Sequence, residues 1–160
     1  MAVIYVFSDS HGFSGNMLRV LSAAQPDLLL FLGDGEVDLE PVRKRFPDLP
    51  LKTVCGNCDR YSSSPEKLLF TYEGVRIFMT HGHTFGVKED PSAFQLRLAA
   101  LEADAGIVLF GHTHEALCDY SLAMHILNPG TIGDVPSPSY GVITLDGSAV
   151  RCRLVSCSVS

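Results

Sequence analysis

The chain has 160 residues, 46% of them hydrophobic, which suits one domain over 1–160 with a real core. It has no apolar stretch of about 18 residues, and its start runs straight into a strand-like segment without a basic region. Neither a transmembrane helix nor a signal peptide is therefore expected. Twelve basic and 18 acidic residues leave a net charge of −6, which disfavours strong binding to nucleic acid or anionic lipid but leaves a nuclease open, since bound metals reverse local charge.

In chain order, residues 2–8 read as a first strand and 14–24 as a helix with Met17, Leu18 and Leu21 on one face. A second strand covers 28–32. A short helix near 39–46 carries Arg43, Lys44 and Arg45 on a solvated face, and a third strand covers 51–54. Lys67–Tyr72 and Val75–Thr80, joined at Glu73-Gly74, read as a hairpin. A helix is expected over 91–103, with Asp90 as N-cap before Pro91 and Phe94, Leu98 and Leu101 in a 3.6-residue period. Residues 107–110 form the next strand. Strands at 116–120, 124–127, 140–145 and 149–155 then follow one another without helices. Strand–helix alternation that gives way to a strand run predicts an α/β fold, a two-sheet sandwich flanked by helices.

Five of the apolar runs end on a residue that can bind a metal. The first ends on Asp9 with His11 two residues on, the second on Asp34, the third on Asn57. Val75–Thr80 ends on His81, and the fifth run ends on His112 with His114 two residues on. Ligands of open α/β sheets bind outside the carboxyl ends of the strands, so these seven residues point to a metal site at one sheet edge. Any one of them alone reads as a loop residue or cap. Gly33-Asp34-Gly35 flanks its carboxylate with small residues that let an ion approach, and four of the six histidines fall in His81-Gly82-His83 and Gly111-His112-Thr113-His114. Imidazole, carboxylate and amide donors suit Mn²⁺ first, with Fe²⁺, Ni²⁺ or Zn²⁺ as alternatives. Seven ligands exceed the needs of one ion, so two ions sharing Asp34 fit better. Their combined charge with two carboxylates, about +2, would bind a phosphate ester and stabilise its transition state.

The five cysteines are an odd number and read as reduced thiols of a cytoplasmic protein. Cys55 and Cys58 form a C-x-x-C with no second copy, and Cys55 sits in an apolar run, so neither redox nor zinc–thiolate chemistry is expected of them. His125 lies mid-strand without a partner motif and reads as structural.

The order D-x-H, G-D, G-N-x-D, H-G-H and G-H-T-H, from Asp9 to His114, resembles the calcineurin-like metallophosphoesterases, and with its short length their small prokaryotic single-domain phosphodiesterase branch. Asn128-Pro129-Gly130-Thr131 resembles the family's N-P-G-[ST] turn. The resemblance implies a four-layer α/β/β/α fold and a phosphodiesterase acting on a small phosphate ester. One ion would be held by Asp9, His11, Asp34 and His114, the other by Asp34, Asn57, His81 and His112. A hydroxide bridging the two ions would attack phosphorus in line, and Asp59 would orient the network. Cys58 stands where many members have a histidine that protonates the leaving group, and His83 is the nearby candidate for that role. Two other functions remain open: a phosphomonoesterase on a small metabolite, and a scaffold like the retromer subunit of this fold, which lacks several of the ligands that all seven positions keep here. The sequence leaves the oligomeric state open, a homodimer included.

Overall fold

The computed structural model describes residues 1–157. In chain order its elements are β1 (Ala2–Phe7), α1 (Gly15–Ala23), β2 (Leu28–Phe31), α2 (Leu39–Arg45), β3 (Leu51–Thr53), β4 (Lys67–Tyr72), β5 (Val75–Thr80), α3 (Phe94–Glu102), β6 (Ile107–Leu109), β7 (Leu117–Ser121), β8 (Met124–Asn128), β9 (Ser139–Asp146) and β10 (Ala149–Ser156). They form two five-stranded mixed sheets, ordered β10-β9-β1-β2-β3 and β4-β5-β6-β8-β7. Among the described residues, no helix is long and apolar enough to cross a membrane.

The central strands are buried on both faces, which is why they read as continuous apolar runs. Along β1 and β2, Ile4, Val6, Leu28 and Leu30 point into the layer between the sheets, where they meet Ile77, Met79, Ile107 and Leu109. Phe7, Leu29 and Phe31 point the other way, onto Met17 and Leu21 of α1 and Leu39 and Val42 of α2. On the far sheet, Phe78, Val108 and Ile126 pack under Leu96 and Ala100 of α3. The result is the expected four-layer α/β/β/α sandwich.

The register decides where the site lies. Strands β1, β2 and β3 run parallel, with Phe7 level with Phe31 and Phe31 level with Thr53. Strands β5, β6 and β8 also run parallel, with Met79 level with Leu109 and Leu109 level with Leu127. All six therefore deliver their carboxyl ends to one rim.

The third helix differs from expectation. It starts at Phe94 rather than Pro91, because Asp90 accepts hydrogen bonds from the amide and hydroxyl of Ser92 in a turn and Ala93 is left-handed at φ 53°. Asp90 still reaches the Phe94 amide at 3.3 Å. Phe94, Leu98 and Leu101 share a face, as their spacing predicts, but that face is exposed. The buried side is Ala93, Leu96 and Ala100, which pack on Phe78, Val108 and Ile126 of the second sheet.

Candidate metal centre

Each expected ligand sits one to five residues past the end of a parallel strand. Five of them, Asp9, His11, Asp34, His112 and His114, adopt left-handed backbone at φ between 45° and 69°. Non-glycine residues rarely do so, and each costs on the order of 1 kcal/mol or more that the surrounding fold must offset. The neighbouring glycines make the crowding tolerable. Gly33 has φ +103°, and a Cβ there would lie 2.5 Å from the Gly56 nitrogen. A Cβ on Gly111 would press on Ser8 and come within 2.7 Å of Asp9 Oδ2.

Two groups made only of expected ligands result, and a third set, His11, Asp34 and Cys58, runs between them. In the first, His11 Nε2 and His114 Nε2 lie 3.4 and 3.2 Å from Asp9 Oδ1 and 3.2 Å from each other. In the second, His81 Nε2 lies 3.1 Å from Asp34 Oδ2 and 3.2 Å from His112 Nδ1. Donors bonded at about 2.0–2.2 Å to one ion stand roughly 3.0–3.5 Å apart, so both groups fit a divalent cation. The groups adjoin, with His11 Nε2 3.8 Å from Asp34 Oδ2 and His81 Nε2 3.9 Å from Asp9 Oδ1. Asp9 Oδ1 is buried and has no hydrogen-bond partner, although three imidazoles face it. An orphaned carboxylate oxygen of this kind fits a cation ligand.

Other residues hold these donors in place. Ser8 Oγ and the His112 amide donate to Asp9 Oδ2 at 2.5 and 3.2 Å, which leaves Oδ1 for the centre. His81 Nδ1 donates to the Leu32 carbonyl at 2.8 Å and so turns Nε2 inward. The Cys58 amide donates to Asp34 Oδ1 at 2.8 Å. Both oxygens of Asp59 are occupied by backbone amides, those of Asp34 and Gly56 at 2.7 Å and those of Gly35 and Glu36 at 2.9 Å. Asp59 is therefore a positioning residue that clamps the Asp34 loop to the Asn57 loop.

Electrostatics separates the ligands. Burial would raise the Asp34 carboxyl, but the His81 hydrogen bond, the Cys58 amide and the charges of His81 and His11 outweigh it and hold it well below the usual carboxylate range. Burial would lower His81, yet Asp34 and Asp9 raise it overall. His112 is lowered by burial and by the charges of His81 and Lys88. Burial, then the Asp34 charge, raises the Cys58 thiol.

The remaining expected residues lie at the rim. Asn57 is exposed and its amide donates to Cys58 Sγ at 3.6 Å. The half-buried His83 ring is 5.5 Å from His81 and 6.2 Å from His112, and its Nδ1 is buried without a partner. On β8 the His125 ring lies against Tyr120 with centroids 4.6 Å apart and planes tilted by 53°, in keeping with a structural role. All five cysteines are free thiols.

Sequence reasoning missed two supports. The buried carboxylate of Asp38 accepts from Ser10 Oγ at 2.6 Å and from the Gly12 amide at 2.8 Å, which fixes the Asp9–His11 turn. Thr131 Oγ1 donates to the Asp9 carbonyl at 2.5 Å, and Asn128 Nδ2 to the Gly111 carbonyl at 3.2 Å. Only the resemblance to an N-P-G-[ST] turn hinted at this second support.

Comparison with known proteins agrees with this geometry. The family described as the calcineurin-like phosphoesterase superfamily domain matches residues 1–148. The chain belongs to that superfamily. It is 31% identical over 157 residues to the probable metallophosphoesterase YsnB of Bacillus subtilis, covering 94% of this chain and 88% of YsnB. It is 26% identical to the phosphodiesterase YfcE of Escherichia coli, covering 87% and 85% of the two chains. A predicted phosphoesterase of Streptococcus pneumoniae has the same fold with a TM-score of 0.80 at 28% identity, covering 98% and 90%. This calcineurin-like superfamily member matches most of the length of these relatives, and its donor groups suit divalent metal ions.

Proposed function

We propose that this chain is a binuclear phosphodiesterase. The observation that carries the reading is the pair of adjoining donor groups, Asp9–His11–His114 and Asp34–His81–His112, with spacings of 3.1 to 3.4 Å and the orphaned Asp9 oxygen between imidazoles. Asp34 would be shared by both ions, and Asn57, exposed on the loop after β3, would complete the second set. Mn²⁺ is the preferred ion, because an imidazole-rich mixed set favours transition ions over Mg²⁺. When bound, the pair supplies Lewis acidity and an activated water for in-line displacement at phosphorus.

The chain's own residues do the rest. The ligand loops exclude one face of the centre from water, since Asp9 and His81 are fully buried. His11 and His114 stay exposed on the other face and leave room for a phosphate ester. His83, with its unpartnered Nδ1 beside the second group, is the proton donor to the leaving oxygen. Cys58 is a weak substitute for that role, because its raised thiol parts with a proton reluctantly at neutral pH. Five ligands held in strained backbone support an enzyme over a scaffold, for which such strain serves nothing. The name of YfcE supports a diester substrate, and the free thiols support a reducing compartment such as the cytoplasm.

The test is metal analysis together with hydrolysis of bis(4-nitrophenyl) phosphate and 4-nitrophenyl phosphate. Two ions per chain and faster diester cleavage are expected. Full activity with one ion, or a preference for the monoester, would overturn the reading.

A further inference from the structure

Beside the metal centre, on the outer face of the second sheet, lies a cavity of about 330 Å³. It shares walls with the centre. Thr113, between the ligands His112 and His114, lines it, and so does Phe110, two residues before His112. Val87, another lining residue, also packs on Gly82, which separates His81 from His83. The walls are mainly apolar, with Val87, Phe110 and Ala116 prominent, and the exposed Lys88 and Glu115 stand at the mouth. The side-chain charges of that lining cancel. A net anion therefore gains nothing there, whereas a neutral ring gains apolar contact, a donor at Lys88 and an acceptor at Glu115. The volume is at the lower end of the roughly 300–1,000 Å³ of small-ligand sites.

We propose that this cavity is a specificity subsite holding one arm of the phosphate diester, a planar, uncharged heteroaromatic ring of nucleoside size with a hydrogen-bond acceptor for Lys88 and a donor for Glu115. The proposal rests on the phosphodiesterase reading of the adjoining centre. A ring seated on Phe110 and Val87 would anchor the ester with its phosphorus over His112 and His114, because the same loop forms both walls. Lys88 follows Val87, whose side chain packs on Gly82 between His81 and His83, so an arm at Lys88 lies on the side of the second donor group. The sequence could not show this subsite, because 87–93 and 110–117 meet only in the folded chain.

The experiment compares two diesters with the same leaving group, the 4-nitrophenyl ester of thymidine 5′-monophosphate and methyl 4-nitrophenyl phosphate, on the Mn²⁺-loaded full chain. The thymidine ester should have at least a ten-fold higher kcat/KM, mainly through KM. Lys88→Met and Glu115→Gln, both at exposed positions, should each cut that preference several-fold, and Ala116→Trp should bring it near one by filling the cavity. Equal kcat/KM for the two esters in the parent, or a preference that survives all three substitutions, would overturn the subsite. Failure to hydrolyse either ester would instead count against the phosphodiesterase reading. Calorimetry with thymidine 5′-monophosphate and methyl phosphate needs no turnover and tests the cavity in that case: tighter binding of the nucleotide, lost in Ala116→Trp, supports it, and equal binding overturns it.

Discussion

Asp59 Oδ2 accepts the backbone hydrogen of Asp34 at 2.7 Å, so the carboxylate of the second donor group is held in place by another carboxylate that belongs to neither group. Asp59 meets three further amides, those of Gly35, Glu36 and Gly56. Asp59→Asn turns an NH₂ toward some of these donors. It should cost on the order of 2–3 kcal/mol, which is roughly 4–12 °C in Tm for a domain of this size. Metal affinity should fall as well. Calorimetric melting with and without Mn²⁺ reads both, and an unchanged Tm would show that water replaces the lost acceptor.

Chelation should abolish hydrolysis, and Mn²⁺ should restore it better than Mg²⁺. Asp34→Asn should be the most damaging single ligand change, because it weakens both donor groups at once. Comparing residual kcat/KM across Asp9→Asn, Asp34→Asn and His114→Gln checks this. Near-parental activity in Asp34→Asn would remove the shared role.

Metal affinity of the metal-free protein should rise with pH across the histidine range. His81 has a raised folded value, so it stays protonated to higher pH than an ordinary histidine and must release that proton to an incoming ion. Asp34, held well below the usual range, does not compete. His112, lowered by its surroundings, gives up its proton more readily than an ordinary histidine. Titration calorimetry in buffers of different ionisation heat should find more protons released near pH 6 than near pH 8. Proton uptake at either pH would contradict this assignment.

With Cys58 as a poor acid, aryl diesters should turn over faster than alkyl or nucleotide diesters with alkoxide leaving groups. General acid catalysis is typically worth about 10²–10⁴-fold, and alkoxides need the proton most. Cys58→His should narrow the gap if the new ring reaches the leaving oxygen. His83→Ala should slow the alkyl esters selectively. Equal aryl and alkyl rates, unmoved by either change, would place the acid elsewhere.

Cys55→Ser should leave hydrolysis nearly unchanged, since Cys55 is a free thiol whose value is raised by burial. Activity lost on mild oxidation and restored by reductant in the parent, but indifferent to oxidation in the variant, would assign it a redox role.

The ligand positions were legible in the sequence because a short strand buried on both faces leaves an unbroken apolar run, and the first polar residue after it marks the rim. Helix α3 was legible in period and misleading in direction. Phe94, Leu98 and Leu101 satisfy the 3.6 spacing, but the sheet takes Ala93, Leu96 and Ala100, which lie on the opposite side. Asp38 was hidden for another reason. An acid just before a short helix reads as a cap, whereas its partners, Ser10 and Gly12, lie more than 25 residues away. The left-handed ligand backbones leave no mark in composition or spacing at all.

Neither donor group can be assembled from one sheet. Asp9, His11 and Asp34 follow strands of the first sheet, while His81, His112 and His114 follow strands of the second. An ion held by either group therefore cross-links the two halves of the sandwich. Any opening that separates the sheets must first release it, so the free energy of metal binding becomes resistance to opening. In the loaded protein, amide exchange in β2 and β6 should slow together rather than sheet by sheet. On metal loss the first motion to appear should be a parting of the sheets at this rim.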